Sequence, residues 1–268
     1  MSSGKIPLRK IIIGTSAWGS KISYSESFEI LEELLESGFV QFDTAPNYGS
    51  GYSHNIINSI SKNKKLTVNT KFGQKMNLSL KEIFKRIYRF NNLNAFFKSN
   101  SNLINYSFQN KKNFWLVSNI DKNFIEIKKD LSNCAIDTFF LHSPLKETIS
   151  DQFIMEFIKF CNLNNLVPGI SNIQDDIFLY LISNYKNIVF QMPLTQYFKY
   201  EKIIERNQNT IHINSIFKTK YLQNKISVKN YEIAIFEYFK NKHNIKLILG
   251  INSNRSMKSL LNNFNLLN

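Results

Sequence analysis

Eight short apolar runs, rich in β-branched residues, alternate along the chain with longer amphipathic segments. Such runs are typical of buried strands, and the longer segments have the spacing of helices. Regular alternation of this kind predicts a parallel α/β sheet, and eight strands close most simply into a (β/α)8 TIM barrel. The predicted strands are 10–16, 39–44, 66–73, 135–144, 166–170, 187–194, 210–217 and 245–250.

Helices are predicted in most of the gaps, at 24–38, 53–61, 120–133, 150–162, 174–184, 228–241 and 256–264. None is assigned between the sixth and seventh strands. No linker divides the sequence, so residues 1–268 are expected to form one domain. The stretch 73–115 is a long insertion after the third strand, and its many aromatic residues predict a lid or an interaction surface rather than disorder.

Composition narrows the class of partner. The net charge of +14 invites a nucleic-acid interpretation, but the lysines are scattered and no nucleic-acid-binding module is present. A positive field also steers phosphate-bearing ligands, so a small-molecule partner is expected and nucleic acid is not. No apolar run approaches the roughly 20 residues of a membrane span, and no signal peptide opens the chain, which favours the cytoplasm. The two cysteines lack metal-site spacing, so no metal is expected.

Polar side chains follow the predicted strands at their carboxyl ends. Asp43 and Tyr48 follow the second strand, Lys71 closes the third and His142 closes the fourth. In a parallel barrel these ends meet at one face, where functional residues collect. An acid, a phenol, an ammonium and an imidazole at one face form a coherent group for proton transfer.

Six motifs occur at these strand ends in a fixed order. They are GTSAWG, FDTAPNYG, TKFG, FLHSP, GISN and QMPL. In this order the sequence resembles the aldo-keto reductase superfamily, from residue 11 to about residue 264. Within it, the segment Ser215 to Phe217 resembles the bacterial branch associated with surface-polysaccharide and sugar-nucleotide pathways.

The resemblance implies an NAD(P)-dependent oxidoreductase that interconverts a carbonyl and an alcohol, on a sugar or sugar-nucleotide derivative. Tyr48 would be the general acid. A free phenol has a pKa near 10, and Lys71 is expected to lower it while Asp43 keeps that ammonium charged and oriented. His142 would donate a hydrogen bond to the substrate oxygen. Trp18, Asn47 and Phe72 are expected near the substrate, with Ser16 beside them.

The resemblance also implies a nicotinamide dinucleotide site. Ser171, Asn172 and Gln191 would bind the carboxamide, Ser215 and Phe217 the pyrophosphate, and the segment from Gly250 to Ser259 the adenosine. The full set of expected cofactor-binding residues is Gly14, Thr15, Ser16, Asp43, Ser171, Asn172, Gln191, Asn214, Ser215, Phe217, Gly250, Ile251, Asn252, Ser253, Arg255 and Ser256.

The chain departs from the pattern it resembles at four positions. Asn214 replaces an aromatic residue or Arg, Ser256 an Arg, Leu260 an Asn and His54 a Glu. These changes leave NADP only slightly preferred over NAD. They also leave open a catalytically silent barrel that acts as a binding or regulatory subunit. A third interpretation is a non-redox carbohydrate epimerase or dehydratase that uses Tyr48 and Lys71 as acid and base.

Overall fold

The predicted strands form a closed parallel barrel. A computed structural model of the chain describes residues 6–61, 65–73, 118–216 and 228–266. Each strand in these ranges pairs in parallel with the next, and the last pairs with the first, so the predicted fold class is confirmed. The strands are β1 (Ile11–Gly14), β2 (Gln41–Asp43), β3 (Thr67–Phe72), β4 (Ala135–His142), β5 (Val167–Ser171), β6 (Val189–Pro193), β7 (Ile211–Asn214) and β8 (Ile245–Gly250).

Eight α-helices lie in the described ranges and cover the outside of the barrel. They are α1 (Tyr24–Glu36), α2 (Tyr52–Ile60), α3 (Ser118–Asp130), α4 (Asp151–Leu163), α5 (Asp175–Asn184), α6 (Leu194–Asn207), α7 (Val228–Phe239) and α8 (Asn254–Leu266). Among the described helices, none combines the length and apolar character that a membrane span requires.

Helix α6 is the element that the sequence analysis missed. Pro193 ends β6 and stands at the N-cap of α6 in an extended conformation, where its missing N–H removes no hydrogen bond within the helix. Leu194, Tyr197, Tyr200 and Ile204 are its buried residues, and they recur at helical spacing. The periodicity was therefore present in the sequence, although tyrosines rather than aliphatic residues carried half of it.

Several strands end earlier than predicted because the chain leaves the extended conformation as soon as it passes the barrel rim. β4 ends at His142, where Ser143 has a φ of 53°, and β7 ends at Asn214, where Ser215 has a φ of 54°. These left-handed residues turn the chain abruptly. The residues after each strand consequently form the loops that surround the site.

The apolar core lies mainly between the barrel and the helices, whereas the barrel interior contains buried polar groups. Gln191 on β6 reaches Asp43 on β2, and His212 on β7 packs on Phe140 of β4 with ring centroids 5.7 Å apart. These strands are not neighbours, so the contacts cross the interior. The fold therefore buries titratable groups beneath the carboxyl ends of the strands.

Candidate active site

The four residues expected to transfer protons lie together at the carboxyl end of the barrel. Asp43 and His142 are the last residues of β2 and β4, Lys71 is next to last in β3, and Tyr48 opens a short 3-10 turn after β2. Lys71 Nζ lies 2.5 Å from Asp43 Oδ1 and 5.1 Å from the centroid of the Tyr48 ring. The Tyr48 and His142 rings meet edge to face with centroids 6.0 Å apart.

The position of Tyr48 is fixed by its own turn. Its N–H donates to the carbonyl of Ala45 at 2.9 Å, and the next residue, Gly49, has a φ of 54°. A Cβ at Gly49 would lie 1.5 Å from the carbonyl oxygen of Trp18, so glycine is required there for steric as well as conformational reasons. The FDTAPNYGS segment thus turns back against the loop after β1 and presents the phenol to the barrel mouth.

Asp43 and Lys71 form a buried ion pair with further hydrogen bonds. Lys71 Nζ also donates to the carbonyl of Thr44 at 3.2 Å, and Gln191 Nε2 donates to Asp43 Oδ1 at 2.9 Å. Burial raises the pKa of Asp43 and lowers the pKa of Lys71, and in each case the partner's charge opposes the shift. The pair is therefore costly to desolvate, and its hydrogen bonds offset part of that cost.

The electrostatics of Tyr48 differ from the sequence expectation. Burial, and then the negative charge of Asp43, raise the pKa of the phenol well above 10, so the net shift is opposite in direction to the expected lowering. The ammonium is bonded to Asp43 and lies over the face of the Tyr48 ring. The phenol is consequently protonated at neutral pH. Burial and the charge of Lys71 lower the pKa of His142 to about 3, so its imidazole is neutral.

A cavity of about 180 Å³ opens directly above this cluster. Asp43, Tyr48 and Gln191 form its floor, and strands β1, β7 and β8 supply its walls. Half of the sixteen residues expected to bind a cofactor are among those that line it. The lining residues are Gly14, Ser16, Asp43, Tyr48, Gln191, Asn214, Ser215, Ile216, Ile248, Gly250 and Asn252.

A second cavity of about 340 Å³ continues from the first toward the start of α8. The two share Gly250 and Asn252, and a Cβ built on Gly250 would meet no atom within 4 Å, so this position opens onto free space. Backbone and small polar groups suit an elongated polar ligand such as a dinucleotide. The lining residues are Leu249, Gly250, Ile251, Asn252, Ser253, Arg255, Ser256, Ser259 and Leu260.

Comparison with known proteins decides the family. Residues 10–167, more than half of the chain, match the model of the aldo/keto reductase family. The chain belongs to the aldo/keto reductase family. Members use NADP(H) or NAD(H), so this aldo/keto reductase is an NAD(P)H-dependent oxidoreductase. No curated protein sequence matches it.

Solved structures of the family share the fold of this aldo/keto reductase at low sequence identity. The glycerol dehydrogenase of Gluconobacter oxydans is 16% identical with a TM-score of 0.63, over 98% of this chain and 91% of that one. An aldo-keto reductase of Bacillus halodurans in its holo form is 13% identical with a TM-score of 0.68, over 95% and 86%. An aldo-keto reductase enzyme from a Medee basin deep-sea metagenome library is 15% identical with a TM-score of 0.58, over 98% and 91%.

Three residues of the aldo/keto reductase that were expected to bind the cofactor make hydrogen bonds within the chain. Thr15 is buried and donates through Oγ1 to the Asp43 carbonyl at 3.1 Å. Ser171 donates to Gln191 Oε1 at 2.5 Å. Asn172 is exposed, has a φ of 61° and donates to Ser143 Oγ at 3.1 Å. None of the three lines either cavity.

Two of the residues expected near the substrate, Trp18 and Phe72, are buried in the apolar core. Trp18 is 0% exposed and packs on Phe42, and Phe72 is 2% exposed and packs on Phe139. Neither lines the two cavities, so both are core residues beneath the rim. Asn47 is partly exposed and immediately precedes Tyr48. Phe217 and residues 74–115 of the insertion lie outside the described residues.

The sequence analysis did not find the apolar wall of the first cavity. Ile216 and Ile248 line it, and Tyr231 on α7 donates to the Ile216 carbonyl at 2.8 Å. An isoleucine in a buried strand carries no functional signal, so only the structure identifies it. Among the described residues, no group of three or more His, Cys, Asp or Glu side chains is arranged to hold a metal ion.

Proposed function

We propose that this aldo/keto reductase reduces an aldehyde or ketone to an alcohol, with Tyr48 as the proton donor. One observation carries the proposal. The Tyr48 ring lies 5.1 Å from the Lys71 ammonium and 6.0 Å from the centre of the His142 ring, and it lines a cavity that Asp43 and Gln191 also line. A protonated phenol close to a neutral imidazole and to a cation suits proton delivery to a carbonyl oxygen.

The chemistry divides between the cofactor and the chain. The dihydronicotinamide, when bound, supplies a hydride to the carbonyl carbon. Tyr48 gives its phenolic proton to the oxygen, and Lys71 stabilises the phenolate that remains. His142 donates an N–H hydrogen bond that orients the carbonyl oxygen. Solvent returns the proton to Tyr48 after the alcohol leaves.

The protonation state of Tyr48 at neutral pH suits its role as proton donor in reduction. A proton donor must hold its proton at the working pH, and the raised pKa of Tyr48 satisfies this requirement. Alcohol oxidation needs the phenolate as a base instead. At neutral pH the phenolate is scarce, so the rate of alcohol oxidation should rise as the pH rises.

The two connected cavities supply the cofactor-binding residues of the proposal. Gln191, Asn214 and Ser215 lie in the cavity above the proton-transfer cluster and would surround the nicotinamide half. Ile251, Ser253 and the neighbouring residues of the second cavity would surround the adenosine half. Gly250 would allow the backbone to approach the ligand closely, because no side chain fills the space beside it.

The substrate class that we propose is a polyhydroxylated carbonyl compound of the sugar type. The first cavity has a polar floor, and the net charge of +14 favours substrates that carry phosphate or carboxylate groups. One of the structural neighbours is a glycerol dehydrogenase, which makes triose-sized compounds a reasonable start for a panel. Sugars and sugar nucleotides would complete that panel.

Replacement of Tyr48 by Phe tests the proposal. The variant removes the proton donor and little volume, so kcat/KM for carbonyl reduction should fall about 100-fold or more. The assay follows loss of NADH or NADPH absorbance with the panel, and nucleotide fluorescence checks that binding is retained. Tyr52→Phe is the matched control, because Tyr52 is a buried residue of α2. Wild-type turnover in Tyr48→Phe, or no reduction of any panel compound by the wild type, would contradict the proposal.

A further inference from the structure

The N-terminus of helix α8 lies at the edge of the second cavity. Helix α8 begins at Asn254, and the backbone before it lines the cavity. Free N–H groups at the start of a helix usually form a site for phosphate, because they point outward and the helix dipole adds positive potential. The affinity of the cavity for an additional phosphate therefore depends on whether these N–H groups are free to bind it.

The chain's own serine hydroxyl occupies the amides of this terminus. Ser256 Oγ accepts hydrogen bonds from the N–H of Asn252 and from the N–H of Ser253, each at 3.0 Å. In return, Ser253 Oγ accepts from the N–H of Ser256 at 3.1 Å. A phosphate would have to displace these contacts, so the start of α8 is a weaker anion site than an open helix terminus.

A carboxylate adds negative charge at the same place. Glu26 on α1 accepts a hydrogen bond through Oε1 from the N–H of Asn254 at 3.4 Å. Glu26 is the third residue of α1, and its own N–H donates to the N-cap Ser23. A Glu at this position commonly turns back to its own N-cap, but here the side chain spans to α8. Glu26 does not itself line the cavity, but the contact places its carboxylate at the backbone of Asn254, whose neighbours Ser253 and Arg255 do line it.

Positive charge near this cavity is limited. Among the residues that line it, Arg255 is the one cation, and its side chain is exposed. An exposed charge is screened by water and salt, whereas a carboxylate bound to a helix terminus is held at a fixed position. A carboxylate near an adenosine ribose repels a 2′-phosphate, whereas a neutral 2′-hydroxyl is not repelled.

We propose that this enzyme prefers NAD(H) to NADP(H), with Glu26 and Ser256 as the residues that exclude the 2′-phosphate. The inference rests on the proposed function, because that function places the adenosine half in the second cavity. It reverses the slight preference for NADP that the sequence suggests. Neither residue takes part in proton transfer, so both act on nucleotide selection alone.

Equilibrium titration of the full chain with NADH and with NADPH, followed by nicotinamide fluorescence, tests the proposal without a turnover assay. The wild type should bind NADH about ten-fold more tightly than NADPH. Glu26→Gln should narrow this ratio by about five-fold, mainly through tighter NADPH binding. Glu29→Gln is the matched control, because Glu29 is exposed on the same helix, and it should leave the ratio unchanged.

Ser256→Ala is a second variant, which frees the N–H groups of Asn252 and Ser253 from the serine hydroxyl. It should tighten NADPH binding more than NADH binding, so that the preference for NADH narrows. Tighter NADPH than NADH binding by the wild type would overturn the inference and leave the proposed reductase function standing. If Glu26→Gln and Glu29→Gln change the ratio of NADH to NADPH affinity equally, the inference is also overturned, because the change would then come from net charge and not from the position of Glu26. Binding of neither nucleotide would overturn the proposed function and the inference together.

Discussion

Gln191 on β6 donates a hydrogen bond from Nε2 to Oδ1 of Asp43 on β2 at 2.9 Å, across the interior of the barrel. The same oxygen accepts from Lys71 Nζ at 2.5 Å. Ser171 in turn donates to Gln191 Oε1, which determines which end of the amide faces Asp43. Gln191 and Ser171 therefore hold the Asp43 carboxylate in place against the Lys71 ammonium.

Gln191→Glu should destabilise the protein in a pH-dependent manner. The substitution places a second carboxylate beside Asp43 and removes the amide donor. We expect the free energy of unfolding at pH 7 to fall by about 2 kcal/mol or more relative to the wild type. Repulsion raises the pKa of one carboxyl in the folded state, so this difference should shrink as the pH falls toward 5 and that group is protonated.

Urea unfolding of the wild type and of Gln191→Glu at both pH values measures this effect. Gln191→Met is the control, because it removes the donor without adding charge, and its loss should be the same at both pH values. A loss in Gln191→Glu that does not change between pH 7 and pH 5 would argue against a close contact between the two carboxylates.

Lys10 should be a stabilising residue far from the site. Its ammonium is buried at the start of the barrel and donates to the carbonyls of Phe239, Lys240 and Lys242 at 3.1, 2.7 and 2.9 Å. These carbonyls belong to the end of α7 and the turn after it, where backbone acceptors lack helical partners. Lys10→Met should lower the free energy of unfolding by about 2 kcal/mol.

Chemical denaturation checks the prediction for Lys10. Arg9→Met is the control, since Arg9 is the exposed neighbour, and its effect should stay within about 0.5 kcal/mol. If the two variants lose equal stability, the three carbonyl contacts do not hold the end of α7.

Two buried histidines should make the fold sensitive to acid. Burial and the charge of Lys71 lower the pKa of His142 from 6.5 to about 3, and burial with the charges of Lys246 and Lys71 lowers the pKa of His212 well below 6.5. Below pH 6.5 the unfolded chain binds protons at these positions and the folded chain does not. The stability that the neutral histidines contribute is therefore present above pH 6.5 and is lost as the pH falls toward 3.

The free energy of unfolding should fall by about 1.4 kcal/mol for each pH unit below 6.5, for each of the two histidines. Urea unfolding at pH 7, 6 and 5 measures it. In His142→Gln the free energy of unfolding should depend less steeply on pH, by the contribution of one histidine, because glutamine does not titrate. An unchanged slope in that variant would mean that His142 titrates normally in the folded protein.

The sequence predicted the parts of this protein that depend on local pattern. Alternating runs gave all eight strands, and the polar residues at their ends gave Asp43, Tyr48, Lys71 and His142, which the barrel brings together. The barrel geometry explains this success, because consecutive parallel strands carry their last residues to one face. The missed helix α6 had a visible periodicity in Leu194, Tyr197 and Ile204.

Features that depend on distant contacts were not predictable in this way. The bond from Gln191 to Asp43 joins residues 148 positions apart, and the bond from Asn254 to Glu26 joins residues 228 positions apart. The pKa of Tyr48 was misjudged because the direction depends on how far the phenol is buried and on which partner holds the Lys71 ammonium. Neither the burial of the phenol nor the partner of the ammonium can be inferred from the spacing of residues in the sequence.

The central claim is that Tyr48 exchanges the proton with the substrate oxygen, and the pH dependence of alcohol oxidation tests it most directly. With an alcohol from the panel and saturating oxidised nucleotide, the wild-type kcat/KM should rise with pH above pH 7 and reach no plateau below pH 8, because oxidation needs the Tyr48 phenolate and burial with the charge of Asp43 raises the pKa of that phenol. In Tyr48→Phe the residual rate should not follow this rise. A plateau below pH 8 in the wild type, or the same profile in Tyr48→Phe, would contradict the account.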